Sequence, residues 1–556
     1  MPAVTRYDGP LFRVLRAFLR NHAWPERLSL AVLSARHGLI GALTGVERYD
    51  QRLTPFRASQ MQEMVTRDLT RLLATHETAD LFMGKKYLQA INLEALGERA
   101  GRLRFIEGAI GRKLAQLRTD LGSLGAAPGH KAPVLPRSGR PLYFLPDWDD
   151  FLDIEFDFRG DRLSAPRRGD RREAHGLELM RPHRICDGVL VSVAQLFGSK
   201  GLLKRVTTAT MDSLAPKPVR RHFGLLDDQW AFGDCGAFSY ADREEPAISV
   251  DQAIALYDLY RFDLGASVDH IPLREIRLDG KRVRLATVER RRRMEKTRSN
   301  AEEFLRLAAS RAVRFQPVGV IQGLEPGDYA AQVGDYLDMG YRYLALGGLV
   351  PRPDSEVLEI AAGVCKQVVR RPERVWLHLM GIFRPKLQDE FRRLAVNSFD
   401  SATYFRKAWL RSDQNYLGVD GTWFAAIRVP PTSDPRMWAR MLLSGVPGDE
   451  IRRREAQALA ALRDLDSDAM AIEPCIEVLD AYDSLRGGSG KERAGLLARY
   501  RRVLLERPWK RCPCSVCRTL GIDVIIFRGY NRNKRRGAHN TWRLFERLNR
   551  GTGPRS

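Results

Sequence analysis

The chain has 556 residues, 44% hydrophobic and 29% charged, a length beyond one ordinary domain and a balance typical of a globular protein. No apolar run is long enough to span a membrane, and the N-terminus MPAVTRYDGPLFRVLRAFLR lacks the apolar core and cleavage site of a secretory signal, so a cytoplasmic protein with no membrane partner is expected. Lys and Arg total 91 against 68 Asp and Glu, a formal charge of +23, which points to a polyanion such as nucleic acid, with an arginine-rich solvated surface as the alternative.

Residues 1–124 alternate apolar runs with amphipathic stretches such as ASQMQEMVTRDLTRLLATHE and read as an α/β or α+β accessory domain. A Gly, Ala and Pro-rich break follows, and residues 125–140 read as a linker. From residue 141 to 433 short apolar runs alternate with helical stretches, the pattern of βαβ units around a parallel sheet. Eight such runs stand out: PLYFLPDW, DGVLVSVA, WAFGDCGA, LGASVDHI, PVGVIQG, YRYLALGGL, VWLHLMGI and NSFDSATY. Eight is the strand number of a (β/α)8 barrel, whose working residues sit where strands end; Asp234, Asp269, Gln322, Gly347, Gly348 and Asp400 then converge on one face. A doubly wound open sheet is the competing topology. An acidic residue followed by small ones, as in FGDCGAFSY, is also ordinary turn chemistry at a strand end.

Residues 434–508 are rich in Ala, Leu and Arg at helical spacing and read as a helical insertion, interrupted at Arg486-Gly-Gly-Ser-Gly. Residues 509–556 carry Cys512, Cys514, Cys517 and His539 in the pattern C-x-C-x2-C-x21-H, before a C-terminal helix. Three of the seven cysteines packed this closely fit a metal cluster better than disulfides, and four soft ligands make a closed tetrahedral zinc site with a structural role. Beside it FRGYNRNKRRGAHNTWR interleaves cations and aromatics; Lys534, Arg535 and Arg536 there, with Arg290, Arg291 and Arg292 in VERRRRMEKTRSN and Arg406 in YFRKA, are candidate nucleic-acid contacts. A solvated loop packed on the zinc lobe is the other reading of that stretch.

The zinc spacing, the strand-end glycines of VGVIQG and LALGGL, and HLMGI followed by FDSATYFRKA together resemble the tRNA-guanine transglycosylases, over roughly residues 141–549. Within that superfamily YFLPDWDDFLDIEFDF, AHGLELMRPHRICDGVLVS, FGDCGAFSYADREEP and FDLGASVDHIP resemble the DpdA branch, which inserts 7-deazaguanines into DNA. The N-terminal YDGPLFRVLRAFL, LSARHGLIG and ERYDQRL resemble the YaaA-like family and its DUF6884 relatives, which implies a DNA-engaging module; a plain turn at His37-Gly38 is the alternative.

The resemblance implies that Asp400 is the nucleophile that forms a covalent glycosyl intermediate, with Asp234 as general acid and base. It places Asp269, Gln322, Gly347, Gly348 and Cys235 around the base. Cys235 stands where many bacterial tRNA enzymes have Ser, and Ser401 where they have Cys, the archaeal pattern. The implied substrate is DNA, the incoming base 7-cyano-7-deazaguanine, and the setting DNA modification, in restriction or in phage defence and its evasion. A helper that opens the duplex and a homodimer are further expectations. The same chemistry on tRNA, or a catalytically silent nucleic-acid-binding subunit, are the alternatives; the short tail ERLNRGTGPRS weighs against the archaeal tRNA type.

Overall fold

Runs built from Val, Ile, Leu, Phe, Ala and Tyr, closed by a polar residue or a glycine, have no polar face to offer water, and strands of that kind are buried on both sides beneath covering helices. All eight expected runs are strands of this type in the computed structural model: β1 (Leu142–Asp147), β2 (Gly188–Ser192), β3 (Trp230–Asp234), β4 (Leu264–Ala266), β5 (Gln316–Ile321), β6 (Tyr343–Leu346), β7 (Trp376–Leu379) and β8 (Ser398–Asp400). They hydrogen-bond in chain order and close into a barrel, with β8 beside β1. Closure excludes the open doubly wound sheet. Parallel registers pair Phe232 with Leu264, Ala266 with Val318, Ile321 with Leu346 and Asp400 with Phe144.

The structure describes residues 3–21, 28–42, 44, 46, 47, 49–123, 140–147, 150–164, 173–194, 219–278, 281–311, 313–487 and 490–550. The expected linker, apart from residue 140, lies outside the described residues, as do two residues of the interruption after Arg486 and the final six of the chain. The chain divides into two compact units, Met1–Pro136 with Leu190–His222 and Trp230–His378, and Arg137–Val189 with Phe223–Gln229 and Leu379–Ser556.

In the first unit, the amphipathic stretch noted above is the helix Pro55–Thr75. Thr54 caps it by accepting a hydrogen bond from the Arg57 amide, and proline stands at its first position. Ala58, Met61, Val65, Leu69 and Leu73 recur at helical spacing and pack with Leu81, Leu96 and Leu103. His37 and Gly38 lie at the bend of an antiparallel hairpin, Ala31–Ser34 with Gly38–Gly41. Helices Val250–Leu259, Thr287–Ser310, Pro326–Met339 and Asp354–Val369 alternate with the barrel strands.

In the second unit, the stretch read as helical consists of helices Pro435–Leu442, Gly448–Asp466, Ile472–Asp483 and Gly490–Glu506. The short helix Ser515–Leu520 carries Cys517 and is capped by Cys514, with Cys512 just before it, and the long helix Gly529–Arg550 carries His539.

Candidate functional site

The first unit supplies the ends of β3, β4, β5 and β6. Asp234 closes β3, and its Oδ2 accepts the Gly236 amide at 3.1 Å, so the turn after the strand fixes the carboxylate. Gly236 sits at φ +85°, and a short 3-10 turn, Ala237–Tyr240, brings Tyr240 back beneath Cys235. Cys235, Tyr240, Asp269 and Gln322 are buried.

Around Asp269 the hydrogen bonds form a connected chain. The Cys235 thiol donates to Asp269 Oδ1 at 2.9 Å, and Gln322 Nε2 donates to Oδ2 at 2.6 Å. The Tyr240 hydroxyl lies 2.9 Å from both Cys235 Sγ and the Asp269 carbonyl. Burial pushes the Asp269 carboxyl above the usual carboxylate range, with the Cys235 and Gln322 hydrogen bonds opposing it. Burial, followed by the charges of Asp269 and Asp234, drives the Cys235 thiol well above its ordinary value, so it is a protonated donor.

Gly347 and Gly348 are needed here for space. A Cβ on Gly347 meets Gln322 Nε2 at 2.2 Å, and one on Gly348, at φ +68°, meets Gln322 Oε1 at 2.7 Å. The two glycines let Gln322 lie flat against the backbone after β6. Its Oε1 is buried without a hydrogen-bond partner among the described residues.

The second unit supplies the end of β8. Asp400 is 4% exposed, and its Oδ1 accepts the Gly381 amide at 2.8 Å. The backbone after it is tied to β1: the Ser401 amide donates to the Phe144 carbonyl at 3.3 Å, and the Tyr143 hydroxyl donates to the Ser401 carbonyl at 2.8 Å. Tyr143, Phe399 and Phe383 stack in succession behind the strand, with ring centroids 5.3 and 5.4 Å apart. Asp400 is thus a carboxylate held by backbone on a stiff aromatic support.

Cys512, Cys514, Cys517 and His539 come together in the same unit, all buried. His539 Nδ1 lies 3.6, 3.5 and 3.5 Å from the three sulfurs. A tetrahedron with Zn–S of about 2.3 Å and Zn–N of about 2.0–2.1 Å has S···N edges of about 3.5–3.6 Å, so the cluster has the dimensions of a loaded site. His539 Nε2–H donates to the Leu417 carbonyl at 2.9 Å, which leaves Nδ1 unprotonated for a metal. The Cys517 amide donates to Cys514 Sγ at 3.3 Å, and Tyr416 stacks on the imidazole with centroids 4.2 Å apart. These residues can hold a metal ion of zinc's preferences.

Three of the candidate nucleic-acid contacts, Arg290, Arg535 and Arg536, need correction because they are buried. Arg536 is fully buried and donates to the carbonyls of Ala408, Val524 and Ile526; Arg535, also buried, donates to those of Asp153 and Ile154. Burial pulls them down to about 9 and about 10. Lys534 donates to the Phe151 carbonyl at 2.7 Å, and Arg290, also buried, to the Pro272 carbonyl at 3.1 Å. Arg292 is bound by Glu289 and Glu245, and Arg291 is exposed. Arg406 is half-buried, held below its ordinary value by burial, with Asp150 and Asp147 opposing. The stretch read as a basic surface or a solvated loop is mostly a buried helix whose guanidiniums bind backbone carbonyls.

Two features had no signal in the sequence. Tyr240 ends the FGDCGAFSY stretch like any aromatic, and only the turn at Gly236 shows that it reaches Cys235. The second is a buried group of Asp147, Asp150 and His175, whose ligand atoms all lie within 4.8 Å of one another. His175 Nδ1 accepts the Leu177 amide at 3.3 Å, so Nε2 carries the proton and faces Asp147 Oδ1 at 3.6 Å. That tautomer suits a carboxylate neighbour rather than a metal. Burial, and then the charge of Asp147, raise the Asp150 carboxyl to about 6.

No helix among the described residues is long and apolar enough to cross a membrane. No protein-family model matches the chain. A curated protein from Salmonella montevideo, described as a DNA-guanine transglycosylase, is 35% identical over 407 residues, which cover 73% of this chain and 96% of the relative. With 35% identity, near-complete coverage of that relative and a closed parallel barrel, the chain belongs to the DNA-guanine transglycosylase family.

Proposed function

We propose that this chain exchanges guanine in DNA for a 7-deazaguanine, 7-cyano-7-deazaguanine in the first instance, as in the DpdA branch. The observation that carries the reading is the order of strand ends: Asp234 at the end of β3, Asp269 after β4, Gln322 after β5, the glycine pair after β6 and Asp400 at the end of β8. The named activity of the Salmonella relative supports DNA as the polymer.

In this mechanism a carboxylate oxygen of Asp400 attacks C1′ of the nucleotide, and an ester C–O bond forms as the C1′–N9 bond breaks. The electron pair of the broken bond leaves with guanine, and Asp234 supplies the proton that neutralises it. The incoming base gives its N9 proton to Asp234 and attacks C1′, and the ester bond breaks to regenerate the Asp400 carboxylate. Asp269 and Gln322 hold the base by its hydrogen-bonding edge, while the glycine pair lets backbone approach its face. A stacked guanine does not expose C1′ to an enzyme carboxylate, so the base leaves the helix first, by flipping or with a duplex-opening partner. The cysteine and histidine cluster holds a structural zinc ion, because four protein ligands leave no position for substrate.

The test is label transfer. Purified protein is incubated with labelled guanine or 7-cyano-7-deazaguanine and duplex DNA, bubble DNA or tRNA, and the nucleosides are read by mass spectrometry. Label enters DNA, faster in the bubble than in the duplex, and not tRNA. Transfer to tRNA alone overturns the reading in favour of a tRNA enzyme; no transfer to any polymer, with DNA binding retained, favours a silent binding subunit.

A further inference from the structure

A buried carboxylate has room for about four hydrogen bonds, two on each oxygen. In Asp269 one bond on each oxygen is already supplied from within the protein, by the Cys235 thiol on Oδ1 and Gln322 Nε2 on Oδ2. The Asp269 backbone N–H also bonds the carboxyl, so about one acceptor site remains on it, and Gln322 Oε1, buried and without a partner among the described residues, adds a second. Such a pair of acceptors suits a ligand edge with adjacent N–H groups, which guanine and 7-deazaguanines share.

The thiol is the weak link in that arrangement, because S–H is a poor donor. Its own sulfur lies 2.9 Å from the Tyr240 hydroxyl, and Tyr240 is also within reach of the Asp269 carbonyl at 2.9 Å. One tyrosine thus touches both the backbone and the thiol that orient the same carboxylate. The hydroxyl has one proton for these two acceptors; directed at sulfur it polarises the S–H bond beyond it, and successive hydrogen bonds strengthen one another in a dry interior.

We propose that Tyr240 and Cys235 are positioning residues for base selection: a hydroxyl, thiol and carboxylate chain that fixes the direction in which Asp269 offers its remaining acceptor to the exchanged base. The inference rests on the base-binding role given to Asp269 above and adds what sets that role.

The experiment uses the full chain with labelled guanine and bubble DNA, measuring KM for the base and kcat separately, with calorimetric binding of 7-cyano-7-deazaguanine alongside. Tyr240→Phe raises KM and Kd for the base roughly tenfold, as expected for one lost hydrogen bond to a charged network, while kcat falls far less. Cys235→Ala does the same or more, and Cys235→Ser, which keeps a donor, recovers most of the loss. Unchanged base affinity in Tyr240→Phe overturns the proposal, as does equal weakening by Cys235→Ala and Cys235→Ser. If Tyr240→Phe fails to fold, the two Cys235 variants decide alone. Asp269→Asn separates the two claims: base binding that survives it removes Asp269 from the base site, whereas base binding lost there but kept in Tyr240→Phe defeats only the positioning chain.

Discussion

Cys235 and Cys514 are both fully buried, and they stand within 4.8 Å of two and three other potential metal ligands respectively, yet their surroundings are built for different ends. Around Cys514 the soft atoms keep S···N spacings of 3.5–3.6 Å, and the imidazole proton is committed elsewhere, to Leu417. Around Cys235 the neighbour is a carboxylate oxygen at 2.9 Å, a hydrogen-bond distance, and burial keeps the thiol protonated. Ligand spacing and proton placement therefore separate a metal cluster from a hydrogen-bonded one, where residue type alone does not.

The sharpest break in that comparison is loss of the metal. Cys514→Ser, or prolonged chelation, removes the ion and with it a folding contribution on the order of 10 kcal/mol, so the second unit unfolds. Metal analysis and a thermal melt check it: stoichiometric zinc falls to none, and soluble, cooperatively melting protein without metal would defeat the assignment. Cys235→Ala, by contrast, leaves metal content unchanged.

Next is the contrast between the proposed nucleophile, Asp400, and the proposed base-binding carboxylate, Asp269. Asp400→Asn keeps the fold and loses base exchange by at least about a thousandfold, together with any covalent adduct seen by denaturing gel or intact mass. Asp269→Asn weakens base affinity instead. Turnover near wild type in Asp400→Asn removes it from the nucleophile's role.

A smaller effect concerns the other buried acidic group. Burial and Asp147 raise Asp150 to about 6, against the opposing His175, Lys534 and Arg406. An acid whose folded pKa exceeds its unfolded value costs stability when it ionises: the penalty is absent below about pH 4, grows as pH rises towards 6, and is full above that. A shift of about two units corresponds to about 3 kcal/mol, so Asp150→Asn is more stable than wild type at pH 7 by up to that amount, and the gain vanishes near pH 4. The difference in denaturation midpoint between the two proteins across that range checks the sign. A gain independent of pH assigns the effect to packing.

What the sequence made legible follows from how local each signal is. Each barrel strand is a contiguous apolar run, so eight could be counted without knowing their neighbours, and strand ends follow from where the runs stop. The Cys512, Cys514 and Cys517 spacing is equally local; the remote His539 was found because it completes a ligand set. The failures are long-range. Arg535 and Arg536 read as candidate nucleic-acid contacts, or as part of a solvated loop, because a guanidinium bound to a distant carbonyl, as Arg536 is to Ala408, leaves no trace in its own stretch. Tyr240 and His175 owe their surroundings to turns whose partners lie elsewhere in the chain.

The helix Gly529–Arg550 has a consequence for how this protein meets a protease. It carries one of the densest concentrations of trypsin sites in a chain with 91 lysines and arginines, yet Arg532, Arg535, Arg536 and Arg543 are each at most 5% exposed. Cleavage there requires the helix to open, and the helix contributes His539 to the metal cluster. With the proposed zinc ion in place, trypsin therefore cuts first at exposed sites, and on removal of the ion the arginine-rich C-terminal helix opens to the protease.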